Sequence, residues 1–290
     1  MNIISGKSIR LSDITKSNDS MEILWISKFI KEILDEEFNK ETTSTQYFKN
    51  GYPHDSFTEL VEIYSEDFFK EESRLYSYLV CCFSEVGDLL SQWRGYANDA
   101  TGLAIGFDTN KLSLIGKPSK DDYFSSDIFY FGKVVYDEYT QKAQIRKCAQ
   151  ELIKELKPLA KEPIGNIKQQ SMVAFNKCFM QLFKLSIFMK NPFFKEEKEW
   201  RICHCINLND QSETAKIHIE DGLALSNINH YSRQNDVVPY VDLAFDKSNI
   251  EVIKKIIIGP KCKAREKDIK IFLENNGIYC DVSESDGTYR

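Results

Sequence analysis

The sequence predicts an α+β fold with a helical hairpin inserted mid-chain. Short apolar runs rich in Tyr, Val, Ile and Phe recur at 75–83, 103–107 and 129–136, and again at 199–206, 216–219, 237–245 and 254–258. Between the third and fourth of these, residues 138–190 switch to helical periodicity in Lys, Gln, Leu and Ala, broken only near Pro163 and Gly165. The chain has 290 residues, 42% of them hydrophobic, which is enough to bury one large core. The organisation expected is therefore a single α+β domain over 1–290 with the 138–190 hairpin within it.

Each element has a local reason. Asp19 followed by Glu22 is a capping box. The helix it starts would bury Ile23, Ile26, Ile30 and Ile33 on one face. Ser56 and Glu59 repeat the signal for a helix to about Phe69. Residues 75–83 read as a buried strand that delivers Ser84 as the cap of a helix, 85–97, carrying Trp93, Arg94 and Tyr96. Residues 98–102 are a turn, 103–107 a strand, 111–127 a polar loop and 129–136 a strand. Asn191-Pro192 ends the second hairpin helix, since proline disfavours helix in the residue before it. Gly259-Pro260 closes the strand 254–258. A helix at 264–275 and a short strand at 277–282 complete the chain.

Composition narrows the function. The net charge is −6 and the pI about 5.5, so no global basic field draws the chain to nucleic acid. No apolar run approaches the ~20 residues of a membrane span. Met1-Asn2-Ile3-Ile4-Ser5-Gly6-Lys7 is too polar and short for a targeting segment. The eight cysteines lie in apolar runs and not at framework spacing, as in a reduced, cytoplasmic protein with buried thiols. Strand alternation sends His204 away from Cys203 and Cys205, and no Cys-x-x-Cys is present, so no metal is expected. There is no Gly-x-Gly-x-x-Gly and no phosphate loop.

The most informative stretch is Glu197-Lys198-Glu199-Trp200-Arg201, at the mouth of the strand 199–206. Period-two spacing puts Glu197 and Glu199 on one side of an extended backbone. Two such carboxylates repel, so one is protonated or a positive group sits between them: Lys198, Arg201 or a ligand. The pair serves acid–base chemistry, stabilisation of a sugar cation or metal binding, or is a solvated charge run. Ser84 meets an anion or merely caps. Trp93 and Tyr96 share a helical face and either stack a planar ring or pack as core. Arg233, near Tyr231 and Tyr240, offers a cation to a diphosphate or is solvated charge at a turn.

In order along the chain, Ser8-Ile9-Arg10-Leu11-Ser12 with Asn18 to Glu22, Cys82-Phe83-Ser84, Trp93-Arg94-Gly95-Tyr96, Gly102 to Phe107, Glu199-Trp200-Arg201, Arg233 with Pro239-Tyr240, and Ile257-Ile258-Gly259-Pro260 resemble a bacterial family known as domain of unknown function 2971. The central hairpin is the least matched part. More distantly, the Glu197-x-Glu199 pair resembles the Glu-x-Glu motif of ADP-ribosyltransferases. The family's usual His-Tyr-Thr-Ser-like opening strand resembles the first motif of the same enzymes. This chain starts at about the Ile3-Ile4-Ser5-Gly6-Lys7 that follows that strand, so the first motif is not expected in it.

The resemblance implies a split mixed or antiparallel sheet, with NAD as substrate in its cleft. Glu199 would be the catalytic carboxylate and Glu197 the acceptor-side one. Ser84 would lie near the ribose, Trp93 or Tyr96 against the nicotinamide, and Arg94 and Arg233 at the cofactor. A toxin or anti-phage defence role follows by analogy alone. Two other readings stay open. One is a metal-dependent nuclease using Asp88, Asp108 and the Glu196-x-Lys198 triplet. The other is a non-catalytic module whose hairpin, 138–190, contacts a partner protein.

Overall fold

The computed structural model describes residues 2–17, 23–44, 76–112, 129–159, 164–207, 218–219, 223–233, 235–244 and 252–289. Two sheets organise them. The larger is antiparallel and eight-stranded, in the order β4(Phe129–Lys133)-β5(Glu199–Asn207)-β2(Tyr76–Ser84)-β1(Ser8–Asp13)-β9(Asp236–Ala244)-β7(Leu223–Leu225)-β6(His218–Ile219). Strand β8(Asn229–Arg233) also pairs with β9. The smaller sheet is mixed: β10(Ile253–Ile258) runs antiparallel to β3(Leu103–Phe107) and parallel to β11(Asp281–Glu284).

Strand alternation gives the large sheet two apolar faces. Tyr78 and Val80 of β2 and Cys203 of β5 point to one cluster, where α2(Ser27–Ser44), α5(Glu138–Leu159) and α6(Ile164–Ile187) pack. Leu79 of β2, Ile202 and Ile206 of β5, and Ile9 and Leu11 of β1 point to the other. Phe83 meets Phe107 of β3 edge-on at 5.5 Å, which joins that second face to the small sheet. There Ile253, Ile256 and Ile258 pack on Ile269 and Leu273 of α7(Glu266–Asn275). The remaining helices are short: α1(Asn2–Gly6), α3(Leu90–Tyr96) and α4(Thr109–Leu112).

The hairpin covers the sheet. Its helices leave β4 and return as β5, and those two strands pair side by side. Ile145, Ala149, Leu152 and Leu156 of α5 and Phe175, Phe179, Leu182 and Phe183 of α6 are buried at helical spacing in the sheet-facing core. The apolar face of the hairpin is therefore spent on this chain's own strands. Tyr139, Met172 and Val173 remain exposed on the hairpin.

Several elements differ from the expectation. Ser8–Asp13 is a central strand and not merely a lead into a helix. Ile23, Ile26, Ile30 and Ile33 are buried together as predicted, but the first two lie in a 3-10 segment ahead of α2. Ser84 ends β2, and α3 starts only at Leu90, after Leu89, whose side chain offers no cap. Helix α6 ends at Ile187. Asn191 instead caps a 3-10 turn, Pro192–Glu197, by accepting from the Phe193 N–H at 3.0 Å. The Asp19–Glu22 box, the 56–69 helix and most of the 111–127 loop lie outside the described residues. No helix among the described residues is long and apolar enough to cross a membrane.

The turn after β10 depends on a missing side chain. A Cβ on Gly259 would stand 2.6 Å from the Ala100 carbonyl oxygen and 2.8 Å from that of Gly102. Gly259→Ala is expected to cost about 1–3 kcal/mol through overpacking against backbone. Gly95→Ala, which meets nothing within 4 Å in α3, is expected to stabilise by roughly 0.5–1 kcal/mol. Urea unfolding midpoints check both.

Candidate functional site

The two glutamates converge, by a route other than the one their spacing suggests. Glu199 opens β5, opposite Ser84 of β2. Glu197 ends the 3-10 turn, and Lys198 between them is left-handed, with φ 44° and ψ 52°. That reversal, and not strand alternation, swings both carboxylates to one cation. Ser84 holds the turn in place by donating its hydroxyl to the Glu197 carbonyl at 2.7 Å, and the Glu85 N–H donates to the Lys198 carbonyl at 3.0 Å.

The shared cation is Lys190. Its Nζ lies 2.7 Å from Glu197 Oε2 and 3.3 Å from Glu199 Oε2. Arg201, two residues along the same face of β5, binds Glu199 with two hydrogen bonds: Nε to Oε1 at 2.9 Å and Nη2 to Oε2 at 3.0 Å. Arg201 is completely buried, and its Nη1 donates to the Ile187 carbonyl at the end of α6. Cys82, paired with Arg201 across β2 and β5, adds a thiol donor to Glu199. The Tyr136 hydroxyl accepts from the Glu199 N–H at 3.2 Å. Gln141 Nε2 donates to the carbonyls of Lys190 (2.9 Å) and Val135 (2.6 Å), fixing the backbone that carries the lysine.

The charges are balanced, two against two, and unevenly exposed. Burial pushes the Glu199 carboxyl upward. The hydrogen bonds and charge of Arg201, the charge of Lys190 and the Cys82 thiol outweigh it, so the group stays below its ordinary 4.5 and remains a carboxylate. Its oxygens accept three charged N–H donors and the thiol, about as many as a carboxylate can take. Glu197 is held, among the described residues, through Oε2 alone, and its side chain is 16% exposed. Burial, with the charge of Glu199 added, pushes the Tyr136 phenol up to about 12. Partial burial and the charge of Glu197 raise Tyr96 as well, which places its hydroxyl within the field of this cluster.

Of the residues singled out from sequence, Glu197, Glu199, Ser84 and Tyr96 come together. Trp93 does not join them: it is buried, and its indole N–H donates to Asp88 at 2.6 Å. Arg94 is exposed and lies near Asp99, whose carboxyl its charge helps to lower. Arg233 is at the other end of the large sheet. Val80 and Tyr240 both face Ser12, Ser84 lies four residues beyond that level and Asp236, the partner of Arg233, four residues short of it. Eight strand residues span roughly 26 Å. Asp88 and Asp108 are engaged in hydrogen bonds, Asp88 with Trp93 and the distant Ser285, Asp108 with the Asn110 N–H. No three His, Cys, Asp or Glu side chains among the described residues are grouped to hold a metal ion. None of the eight cysteines forms a disulfide, and Cys148, Cys178 and Cys203 are buried.

Sequence reasoning missed Lys190, Tyr136 and Gln141. Lys190 stands directly before Asn191-Pro192, a turn signal, where a lysine reads as solvated. Nothing local marks it as buried against two acids.

Glu199→Gln leaves Arg201 buried without its counter-charge and is expected to cost about 3–5 kcal/mol. Replacing both, Glu199→Gln with Arg201→Met, is expected to cost less than the single change. The folded-state shift of Glu199 is downward, so its contribution is complete above pH 4.5 and is lost as the pH falls through the lower folded value. Urea midpoints across that acid range should fall more steeply for the wild type than for the double variant.

Comparison with curated proteins and with solved structures gives no match. Against protein-family models, residues 92–202 match the family described as "Protein of unknown function (DUF2971)". The match is narrower than the blocks set out from sequence: Cys82, Ser84, Arg233 and the Gly259-Pro260 turn lie outside it. Tyr96, Tyr136, Lys190, Glu197, Glu199 and Arg201 lie inside it, so this segment of the chain is similar to that family.

Proposed function

We propose that the chain is an ADP-ribosyltransferase-like enzyme that breaks the nicotinamide–ribose bond of NAD, with the Glu197–Lys190–Glu199–Arg201 cluster as its reactive centre. The observation that carries the reading is the unequal state of the two carboxylates. Glu199 is held ionised and nearly saturated by donors, and Glu197, among the described residues, keeps an oxygen unengaged while its charge reaches the exposed Tyr96. The division of labour differs from the one the resemblance implies. Glu197 is the carboxylate that meets the ligand. Glu199 is the buried anion that fixes Lys190, and through it Glu197.

In the reaction the bond from ribose C1′ to the pyridinium nitrogen breaks. Its electron pair leaves with nicotinamide, and an oxocarbenium-like ribose remains. A fixed negative charge beside that cation lowers the barrier. The acceptor's nucleophilic oxygen or nitrogen then bonds to C1′, and its proton passes to Glu197. Tyr96, 67% exposed, offers its ring to the nicotinamide.

The test is NAD turnover, with free nicotinamide and ADP-ribosylated product followed by mass spectrometry. Glu197→Gln is expected to lower turnover by about 10²–10⁴-fold with the unfolding midpoint little changed. Wild-type protein that neither binds nor turns over NAD overturns the proposal. Activity indifferent to Glu197→Gln assigns the cluster to fold stability alone.

A further inference from the structure

We propose that Asp88 and Asp99 are positioning residues that set the place of Tyr96, by clamping α3 to the small sheet and the segment after it. The inference rests on the reading of Tyr96 as part of the site. Helix α3 has seven residues and no side-chain cap, too little to hold itself by its own hydrogen bonds. Its place is therefore set by what grips it.

Asp88 grips from the front. Its Oδ1 accepts from the Trp93 indole N–H and from the Ser285 hydroxyl, both at 2.6 Å, and its Oδ2 accepts from the Asp286 N–H at 2.8 Å. Asp99 grips from behind. It accepts from Lys261 Nζ and from the Tyr289 hydroxyl, both at 2.8 Å, and Lys261 sits 3.8 Å over the Tyr289 ring.

Between Tyr96 and these anchors the chain takes an unfavourable path. Asn98, Asp99 and Ala100 all have left-handed φ, 48°, 53° and 70°. Consecutive L-residues do not choose that conformation unaided. The turn persists because it is tied on several sides. The Ala100 N–H donates to the Trp93 carbonyl at 2.9 Å. The Lys261 N–H donates to the Ala100 carbonyl, and the Gly259 N–H to the Gly102 carbonyl, both at 3.0 Å. These outside anchors belong to the β10 turn or to residues 285–289, beside the small sheet. Glu197, Glu199 and Arg201 belong to the large one. The gap between Tyr96 and the acidic cluster is thus set by two carboxylates that touch no ligand.

The experiment places 3-fluorotyrosine at position 96 alone and follows its ¹⁹F resonance in the full chain, with NAD affinity measured on the same samples. Asp99 is 59% exposed at its side chain, so its replacement is tolerated by the fold. Asp99→Ala and Tyr289→Phe are expected to shift or broaden the residue-96 resonance and to weaken NAD binding by about tenfold. Asp99→Asn keeps an acceptor oxygen and a residue at ease with left-handed φ, and is expected to restore both. Ser285→Ala tests the Asp88 grip in the same way. A residue-96 resonance unmoved by Asp99→Ala and Tyr289→Phe, in folded protein, overturns the proposal. Wild type that fails to bind NAD sinks the reading of the site, and the resonance still decides whether the clamp positions Tyr96.

Discussion

A completely buried arginine is the constraint around which this molecule is arranged. Arg201 stands on the helix-facing side of β5, in line with Cys203 and next to a core of Phe175, Phe179 and Phe183. A guanidinium there is tolerated only when its donors are met and its charge is opposed. Glu199 does the second, and the Ile187 carbonyl takes another N–H. The end of α6 and the start of β5 are thereby tied. The eleven residues from Ile187 to Glu197 must make a compact turn to fit between, and that turn carries both Lys190 and Glu197 to the same place.

The cluster sits where three structural regimes meet. The large sheet supplies Glu199 and Arg201. The helical cover supplies Lys190, with Tyr136 and Gln141 at the entry to α5. The small sheet supplies Tyr96 indirectly, through α3 and the left-handed turn behind it. Each regime has its own apolar core, and Phe83 against Phe107 is one of the contacts that join two of them. An arrangement of this kind concentrates polar groups at the seams between cores.

Much of the fold was legible in the sequence, and the reason is local. Residues 199–206 alternate so that successive side chains fall on opposite faces, and the strand formed there almost to the residue. Ile145, Ala149, Leu152 and Leu156 repeat at helical spacing, and the helix formed. Ser8–Asp13 was not recognised because Ile9 and Leu11 are its only apolar residues. Its place in the sheet comes from β2 and β9 on either side. The packing of the hairpin was not legible for a related reason. Periodicity shows that a helix has an apolar face but not whether that face meets the chain's own sheet or another protein.

The same boundary runs through the site. The sequence by itself determined that two carboxylates stand at the mouth of a buried strand and that their repulsion is relieved either by protonation of one or by a positive partner. Only the tertiary structure decided which one. Lys190 lies seven residues before Glu197, across a 3-10 turn and a left-handed Lys198, and backbone torsions of that kind leave little trace in residue type. The register of four strands carried Arg233 to the far end of the sheet, and one hydrogen bond to Asp88 turned Trp93 inward while Tyr96, on the same short helix, stayed outside. Side-chain periodicity acts over a few residues. The distances that make a site depend on how whole elements pack, and that is settled by burial and by the pairing of buried charge.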